Sequence, residues 1–243
     1  MNKFFKTLSL AVLLIVFGCD NKEKKDLVVG TSADYPLFSF KKGKQIVGFD
    51  IDLANEIAKK LNCKLHIKDM NFSELIPALE KNKIDFAVSA ITATPDREKV
   101  VDFSAVKYYL PKLSLVYTKN KPIISIKALN SKTGAVQRGS TMESFLKARK
   151  ARIISFERAS TILEALKGGK VDYILTELVE AKVFCSADKT LAYSILHSSS
   201  YNFDYAVAFP KGSRLRVKVD NVMLTLKVLN GFDRLEEKWF KHK

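Results

Sequence analysis

The chain alternates short apolar runs with amphipathic helical segments, and this alternation constrains the fold more than any other feature. In the first half, apolar runs at 27–31, 64–70 and 84–90 are separated by helical patterns at 51–62 and 73–82. The segment from 32 to Gly48 reads as polar turns, and Asp50 and Ser73 are the expected N-caps of the two helices. The order strand, helix, strand, helix, strand is typical of a mostly parallel sheet covered by helices. The pattern therefore predicts an α/β fold.

A second series of the same kind follows in the later half of the chain. Strand-like runs at 133–137, 152–156 and 171–176 are separated by helical patterns at 140–150 and 160–169. Because each series is long enough for its own sheet and helices, we expect two lobes. Each lobe is predicted to hold a mostly parallel sheet with flanking helices.

The remaining segments predict that the chain passes twice between the lobes. LSLVYTK joins the two series, YAVAFPKG follows the second one, and the last stretch reads as helices that we expect to pack on the first lobe. Two extended crossings between two lobes form a hinge with a cleft. The predicted division is a signal peptide at 1–18, a lipidated tether at 19–26, a first lobe at 27–112 and 209–243, and a second lobe at 113–208.

The N-terminal segment has the features of a secretory signal. MNKFFK is basic, and the apolar stretch LSLAVLLIVFG after it is too short to span a bilayer comfortably. The run from Val16 to Cys19 resembles a bacterial lipobox, in which the cysteine is lipidated and becomes the new N-terminus. The polar DNKEKKD that follows suits a flexible tether. The alternative is an uncleaved signal anchor.

The composition argues against several classes of partner and cofactor. The formal net charge is +15, but the lysines are spread along the chain without an arginine-rich tract, so we expect no nucleic-acid partner. A lipid-anchored basic protein suits anionic headgroups, although a generally lysine-rich proteome explains the charge equally well. Cys63 and Cys185 lie far apart, and the three histidines lack metal-ligand spacing. We therefore expect no metal, disulfide or cofactor.

Polar segments follow three of the predicted strands. SAITATPDR lies at the end of IDFAV, QRGST follows TGAV, and TELVE follows VDYIL. Ligands of open α/β sheets bind beyond the carboxyl ends of the strands. We therefore expect the three segments to line one site, and their side chains suit a small zwitterion.

Arg97 is the residue of the first segment that local structure does not explain. Residues 94–96 read as a helix start, with an N-cap threonine, a proline and an acid. A cation in the first helical turn is disfavoured by the helix dipole. A ligand carboxylate gripped by Arg97 and by backbone N–H groups near Ala90 and Thr92 would offset this cost. A salt bridge to Asp102 is the alternative.

The other two segments supply a second anion-binding turn and an acid. Ser140 and Glu143 have the spacing of a capping box, which makes a structural cap the main alternative for the serine. The same helix start, with Thr141 beside it and Gly139 allowing close approach, also suits an anion. Glu177 follows the next strand, where its carboxylate suits an ammonium group, although a solvated acid is the simpler interpretation.

These stretches, taken together and in order, resemble the periplasmic amino-acid-binding proteins of ABC importers, the polar-amino-acid solute-binding family, here of lipoprotein type. The resemblance covers nearly the whole mature chain, and GFDIDL and the T-x-T-x-x-R turn followed by VDFS are its most specific motifs. It implies a two-lobe periplasmic-binding-protein fold of type II. The matching stretches are VVGTSADYPLFSF, GFDIDLANEIAKKL, FSELIPALEKNKIDFAVSAITATPDREKVVDFS, VQRGST and GGKVDYILTE.

The resemblance also implies roles for individual residues. Arg97 binds the ligand α-carboxylate with help from Thr92 and Thr141. The ammonium-binding acid of the family, usually aspartate, falls on Glu177, with backbone carbonyl contacts beside it. The ligand-binding residues expected on these grounds are Tyr35, Phe38, Phe72, Ser89, Ala90, Thr92, Arg97, Ser140, Thr141 and Glu177, and the expected lipidation site is Cys19.

Aromatic residues are expected to surround the ligand side chain. Tyr35 and Phe72 facing each other would hold a guanidinium or imidazole by cation–π contacts worth about 0.5–2 kcal/mol each. For Phe38 a place in the core is the stronger alternative. Ser32 stands where members that bind basic ligands often carry an acid, so the resemblance favours arginine, lysine or histidine only slightly.

Glu177 leaves a second function open, because relatives that became cyclohexadienyl dehydratases carry a glutamate in this region that resembles a catalytic general acid. A ligand-sensing or adhesion lipoprotein on the same fold is a third. We expect a binding protein and no enzyme. It is predicted to be a monomer, anchored by lipid in the periplasm or cell envelope, which captures a free L-amino acid in a closing cleft and delivers it to an ABC permease.

Overall fold

The structure is a computed structural model in which residues 26–123, 125–197 and 204–241 are described. The predicted signal peptide, Cys19 and all of the predicted tether except Asp26 lie outside these residues. The strands are β1 (Asp26–Thr31), β2 (Asp34–Tyr35), β3 (Ser39–Lys42), β4 (Gln45–Val47), β5 (Lys64–Asp69), β6 (Phe86–Ala87), β7 (Val101–Phe103), β8 (Leu113–Thr118), β9 (Thr133–Gln137), β10 (Arg152–Phe156), β11 (Tyr173–Glu177), β12 (Leu191–Ile195) and β13 (Ala208–Pro210). The α-helices are α1 (Phe49–Lys60), α2 (Phe72–Glu80), α3 (Pro95–Glu98), α4 (Thr141–Ala148), α5 (Ile162–Lys167), α6 (Leu178–Ala187), α7 (Leu215–Val228) and α8 (Gly231–Phe240), and two 3₁₀ segments span Ile126–Ser131 and Ala159–Thr161.

The first five-stranded sheet has the order β5-β1-β6-β13-β7. β1 pairs in parallel with β5 and β6, whereas β13 is antiparallel to β6 and β7. In this register Gly30 of β1 lies opposite Lys68 on one side and Ala87 on the other. Because β13 comes from near the end of the chain, the sheet is complete only after the chain has passed through the second lobe.

The second five-stranded sheet repeats this arrangement, with the order β10-β9-β11-β8-β12. β9 pairs in parallel with β10 and β11, whereas β8 is antiparallel to β11 and β12. In each sheet, three parallel strands lie next to one antiparallel strand that adjoins a crossing between the lobes. The predicted α/β fold with two lobes of mostly parallel strands is therefore confirmed.

Helices cover the sheets and leave the carboxyl ends of the parallel strands accessible. Alternate residues of β11 face different cores, since Tyr173 and Leu175 pack with α4 whereas Ile174 packs with α5 and α6. In the first lobe α2 contacts β1, β6, β7 and β13, and α1 contacts β5, α7 and α8. The polar segments that follow β6, β9 and β11 are thereby directed toward the space between the lobes.

Several elements differ from the predicted series. The predicted strand at 84–90 contains only the two residues of β6. The segment between β1 and α1, predicted as polar turns, forms a three-stranded sheet of β2, β3 and β4. LSLVYTK was predicted as a connection between the series, but as β8 it lies inside the second sheet, between β11 and β12. α6 and β12 were not predicted.

The caps of the first two helices also differ from the prediction. Gly48, not Asp50, is the N-cap of α1, because the first helical N–H groups donate to carbonyl groups at residues 37 and 38. Asn71, not Ser73, caps α2. The predicted caps Thr94 of α3 and Ser140 of α4 are confirmed by hydrogen bonds from backbone N–H groups to their hydroxyls.

The return from the second lobe joins the first lobe earlier than predicted. The N–H groups of Tyr205 and Ala206 donate to the carbonyls of Tyr109 and Ile91, and that of Val207 donates to a serine of the first lobe. The predicted division placed these residues in the second lobe. We therefore propose that the second lobe ends before residue 204, and we keep the rest of the division as a proposal.

Gly48 lets the segment before α1 lie against β3. Its φ is 138°, and a Cβ there would lie 2.1 Å from the carbonyl oxygen of Phe38. We expect Gly48→Ala to lower the free energy of unfolding by roughly 3 kcal/mol or more, because backbone strain and overpacking add. The measurement is urea denaturation, with Gly43→Ala as the matched control.

Gly43 also has a positive φ, 61°, but its added Cβ would meet nothing within 4 Å. The free energy of unfolding of the control should therefore fall by only about 1 kcal/mol, from the left-handed backbone alone. Equal losses in the two variants would contradict the steric argument.

Candidate functional site

A small cavity of about 20 Å³ lies between the lobes, where the polar segments after β6, β9 and β11 meet. Residues from distant parts of the chain line it, and nine of the ten positions predicted as ligand-binding are among them. These nine are Tyr35, Phe72, Ser89, Ala90, Thr92, Arg97, Ser140, Thr141 and Glu177.

Arg97 lies where the two lobes meet. The Thr94 hydroxyl accepts a hydrogen bond from the Arg97 backbone N–H at 3.3 Å, which fixes the start of α3. The guanidinium donates to the carbonyl of Thr92 in the first lobe and to that of Gly139 in the second, both at 2.8 Å. It also lies 5.5 Å from the centre of the Phe72 ring. Arg97 therefore connects the lobes at the cavity.

Asp102, the alternative partner of Arg97, is engaged with a neighbouring turn. Its carboxylate pairs with Lys211 at 3.0 Å and accepts the backbone N–H of Gly212 at 2.7 Å. These contacts hold the residues after β13 against β7. They give Asp102 a structural role that does not depend on Arg97.

The turn before α4 brings the second lobe against the first. Gly139 has a φ of 76°, and a Cβ there would lie 3.1 Å from the Cα of Ser73. The Ser140 hydroxyl accepts the N–H of Glu143 at 3.1 Å, as the capping box predicts. The Glu143 carboxylate accepts the N–H of Gly139 at 2.7 Å, one residue before the position that a standard box uses. Thr141, the first residue of α4, then lines the cavity.

Glu177 lies at the end of β11 in the second lobe, across the cavity from the lobe that carries Arg97. Its side chain is 2 % exposed, and it accepts a hydrogen bond of 3.0 Å from the hydroxyl of Tyr35 in the first lobe. Burial raises the pKa of Tyr35 well above its ordinary value, and the charge of Glu177 raises it further. Tyr35 therefore remains a neutral donor to the Glu177 carboxylate.

Phe38 is the predicted ligand-binding residue that does not line the cavity. It is fully buried, and its ring packs against Tyr35, Phe49, Tyr109, Tyr205 and Phe240 at centroid distances of 5.0–5.9 Å. The Phe38 ring packs against the Tyr35 ring from the core side, because the chain after β2 turns into the core. The prediction of a wall residue is corrected to a core aromatic.

Besides Ser32, which was weighed without being assigned to the predicted site, three lining residues were missed by the sequence reasoning. Gln137 ends β9 and belongs to the predicted QRGST segment, and its buried Nε2 has no hydrogen-bond partner among the described residues. Met142 follows Thr141 in α4. Tyr205 comes from the returning chain and bridges to Thr92. The position of Gln137 was a signal, whereas nothing local to Tyr205 indicates a place in the site.

Further polar contacts join the lobes beside the cavity. The carboxylate of Asp34 accepts the backbone N–H of Ala159 at 2.5 Å. Arg158 pairs with Asp69 at 2.8 Å, and Asp69 also pairs with Lys41. Burial raises the pKa of Asp69, but the hydrogen bonds from Arg158 and Lys41 outweigh it and lower the pKa to about 2. The lobes are therefore in contact through ion pairs and hydrogen bonds.

Glu180, in the first turn of α6, is a second buried acid near this seam. It is 2 % exposed, the Thr176 hydroxyl donates to its Oε2, and its Oε1 has no partner among the described residues. Burial raises its pKa to about 8, against the effect of Thr176, and the nearby charge of Asp34 adds to the rise. Glu180 is therefore protonated over most of the neutral pH range.

The described residues form neither a cluster of metal-binding side chains nor a helix that could cross a membrane. In residues 26–123, 125–197 and 204–241, no group of three or more His, Cys, Asp or Glu side chains could hold a metal ion. Over the same residues, every helix is too short or too polar to cross a membrane.

Residues 27–242 match the family described as bacterial extracellular solute-binding proteins, family 3. The chain belongs to this family. Its fold and its cavity between two lobes are those of a type II periplasmic binding protein, and the solved structures it resembles carry the same fold.

Two curated relatives and one solved structure indicate the range of ligands in similar proteins. The arginine-binding extracellular protein ArtP of Bacillus subtilis is 35% identical over 227 residues, covering 89% of this chain and 87% of ArtP. A probable histidine-binding protein of Campylobacter jejuni is 32% identical and covers 88% of each chain. The substrate-binding protein AbpA of an amino acid ABC transporter of Streptococcus pneumoniae, bound to L-arginine, is 32% identical with a TM-score of 0.83, over 89% of this chain and 94% of AbpA.

The buried Glu180 predicts a specific pH dependence of stability. The folded protein holds a proton on Glu180 up to about pH 8, whereas the unfolded chain releases it near pH 4.3. This contribution to stability is therefore complete below about pH 4.3 and is lost as the pH rises to about 8. We expect Glu180→Gln to raise the melting temperature at pH 8.5 by at least about 2 °C relative to its effect at pH 4, equivalent to roughly 1 kcal/mol.

The measurement is thermal unfolding by circular dichroism at both pH values. Glu164→Gln is the matched control, because Glu164 lies exposed on α5 of the same lobe. Its effect should be the same at both pH values. A Glu180→Gln effect that does not change with pH would contradict the assignment of the buried proton.

Proposed function

We propose that this protein is an extracytoplasmic binding protein that captures one free L-amino acid and delivers it to an ABC permease. The observation that carries the proposal is the pair of opposite charges, Arg97 and Glu177, on one small cavity between two lobes. A free amino acid carries a carboxylate and an ammonium group on one carbon. A cavity with one cation and one anion suits such a ligand.

In this proposal each charged end of the ligand has its own partners. The planar Arg97 guanidinium grips the α-carboxylate, with the hydroxyls of Thr92 and Thr141 as further donors. Glu177 accepts the α-ammonium group, and Tyr35 holds the Glu177 carboxylate in place through its hydrogen bond of 3.0 Å. Ser89, Ala90 and Ser140 supply backbone and hydroxyl contacts along the cavity wall.

The ligand side chain is proposed to be polar or basic, and L-arginine is the first probe. Tyr35 and Phe72 line the cavity and present aromatic surfaces to a cation. Ser32 has no charge, but its hydroxyl donates to Asp34 at 2.7 Å, so an acid lies directly behind it. The arginine named for ArtP and AbpA supports the same choice.

Binding is proposed to act by closure of the lobes. The closed arrangement places the Gly139 carbonyl on Arg97 and the Tyr35 hydroxyl on Glu177, contacts that exist only when the lobes meet. A ligand shifts the balance toward this state because it binds Arg97 and Glu177 at the same time, and only the closed state allows that. We propose that the closed form docks on the permease.

The binding function is favoured over the enzyme alternative. The relatives reported above are named as binding proteins of amino acids, which removes the support for a dehydratase. Glu177 also accepts a hydrogen bond from the neutral hydroxyl of Tyr35 at the cavity. Its proposed role is charge complementarity with the ligand.

The role of Arg97 is tested by comparing two ligands. We expect Arg97→Ala to weaken L-arginine binding at least 100-fold, and Arg97→Lys at least 10-fold, because an ammonium group does not match a carboxylate bidentately. Agmatine, which lacks the α-carboxylate of arginine, should bind the unaltered protein weakly and should lose no more than about 3-fold in Arg97→Ala. The measurement is isothermal titration calorimetry.

Arg214→Ala is the control, because this exposed arginine lies before α7, away from the cavity. It should bind L-arginine with unchanged affinity. Normal L-arginine affinity in folded Arg97→Ala would remove the carboxylate assignment. If L-arginine does not bind the unaltered protein, mass spectrometry of ligand retained through purification identifies the amino acid, and thermal shift ranks candidates by RT ln(1 + [L]/Kd).

We also propose that the protein is anchored in the cell envelope by lipid on Cys19, a residue outside those described. The signal-like segment and the Gly18-Cys19 run support this, and an anchored binding protein stays near its permease. Metabolic labelling of expressing cells with radioactive palmitate is expected to mark the unaltered protein, and Cys19→Ser is expected to lose the label. Cys63→Ser is the control and should keep the label, whereas an unlabelled unaltered protein would contradict the anchor.

A further inference from the structure

The GFDIDL motif contains two aspartates, and only one of them lies at the protein surface. Asp52 accepts hydrogen bonds from Lys238 at 2.6 Å and from the indole of Trp239 at 2.7 Å, which hold α8 against α1. Asp50 is 0 % exposed. It is not the N-cap of α1, because its own N–H donates to the carbonyl of Phe38. The buried carboxylate therefore needs another explanation.

Asp50 is bonded to the segment that lines the cavity. Its Oδ2 accepts the backbone N–H of Ala90 at 2.8 Å, and the hydroxyl of Tyr108 faces the same carboxyl group. Burial raises the pKa of Asp50 to about 7, although the hydroxyl of Tyr108 and the N–H of Ala90 lower it. Burying a carboxyl group at this position costs folding free energy. An uncharged Asn would accept the same hydrogen bond without a charge to bury.

Ala90 adopts a backbone conformation that needs support. Its φ is 49°, in the left-handed region that residues with a Cβ rarely occupy. On either side of it, Ser89 accepts the N–H of Ser32 at 2.9 Å, and the carbonyl of Thr92 accepts the Arg97 guanidinium. A change at Ala90 would therefore move both the wall of the cavity and the acceptor that orients Arg97.

We propose that Asp50 is a positioning residue of the ligand site, which holds Ala90 in its left-handed turn and so sets the geometry of the cavity wall and Arg97. This inference rests on the proposed function, because it concerns affinity for an amino acid. It assigns to the first aspartate of GFDIDL a role that differs from the structural role of the second. Asp50 does not line the cavity and acts through Ala90.

The test compares four variants by titration with L-arginine at pH 7.5. Asp50→Ala removes the acceptor and should weaken binding at least 10-fold. Asp50→Asn keeps an acceptor oxygen for the Ala90 N–H and should bind within about 3-fold of the unaltered protein. Asp52→Ala is the matched control from the same motif, and it should lower the melting temperature while binding within about 3-fold.

The fourth variant tests the backbone conformation directly. Glycine adopts positive φ without the steric cost of a Cβ. We therefore expect Ala90→Gly, added to Asp50→Ala, to recover at least 3-fold of the lost affinity. A purely structural role of Asp50 predicts no such recovery, because the glycine substitution fills none of the space left by the aspartate.

Hydrogen exchange gives a readout that needs no ligand. In the unaltered protein without ligand, the Ala90 amide should be protected, and Asp50→Asn should keep that protection. The proposal is overturned if this amide exchanges as fast as an exposed turn, if folded Asp50→Ala binds normally, or if Asp50→Ala and Asp52→Ala lose affinity equally. If L-arginine and the other amino acids fail to bind the unaltered protein, the proposed function fails, and hydrogen exchange still decides the role of Asp50.

Discussion

The Arg97 guanidinium donates to one carbonyl in each lobe, and the site depends on this interaction. The Thr92 carbonyl belongs to the turn after β6, and the Gly139 carbonyl belongs to the turn before α4. The group proposed to bind the ligand carboxylate therefore also joins the two halves of the cavity. Opening the lobes breaks the contact with Gly139 and changes the surroundings of Arg97. Arg97 is thereby common to the proposed binding of the ligand and to the contact between the lobes.

Polar contacts join the lobes, and beside them one apolar cluster holds residues of both lobes. Arg158 pairs with Asp69, Asp34 accepts a backbone N–H from the facing lobe, and Tyr35 donates to Glu177. Each of these polar groups can be hydrated when the lobes separate. Interfaces between domains that move are generally of this polar kind. Of the two buried acids on the second-lobe side, Glu180 carries a proton near neutral pH, whereas Glu177 accepts the hydroxyl of Tyr35 at the cavity.

Much of the fold could be predicted because it depends on local pattern, whereas the details of the site depend on distant contacts. Alternating strand and helix patterns indicated both sheets, and the rule that ligands lie beyond strand ends brought Arg97 and Glu177 to one cavity. Phe38 was misplaced because its apolar character fits a ligand wall and a core equally well. Tyr205 was missed because the predicted division placed it in the second lobe, and α6 because the polar residues Thr176 and Glu177 just before it also mark a loop.

The aspartates of GFDIDL show why a local rule fails where a residue has a distant partner. By sequence, Asp50 is a good helix cap, but the backbone carbonyls at residues 37 and 38 already accept the first N–H groups of α1. Its carboxylate is therefore available to Ala90, forty positions along the chain. Asp52, two residues further along α1, accepts hydrogen bonds from Lys238 and Trp239 in α8. The motif thus joins three segments that are remote in sequence, although neither of its aspartates lines the cavity.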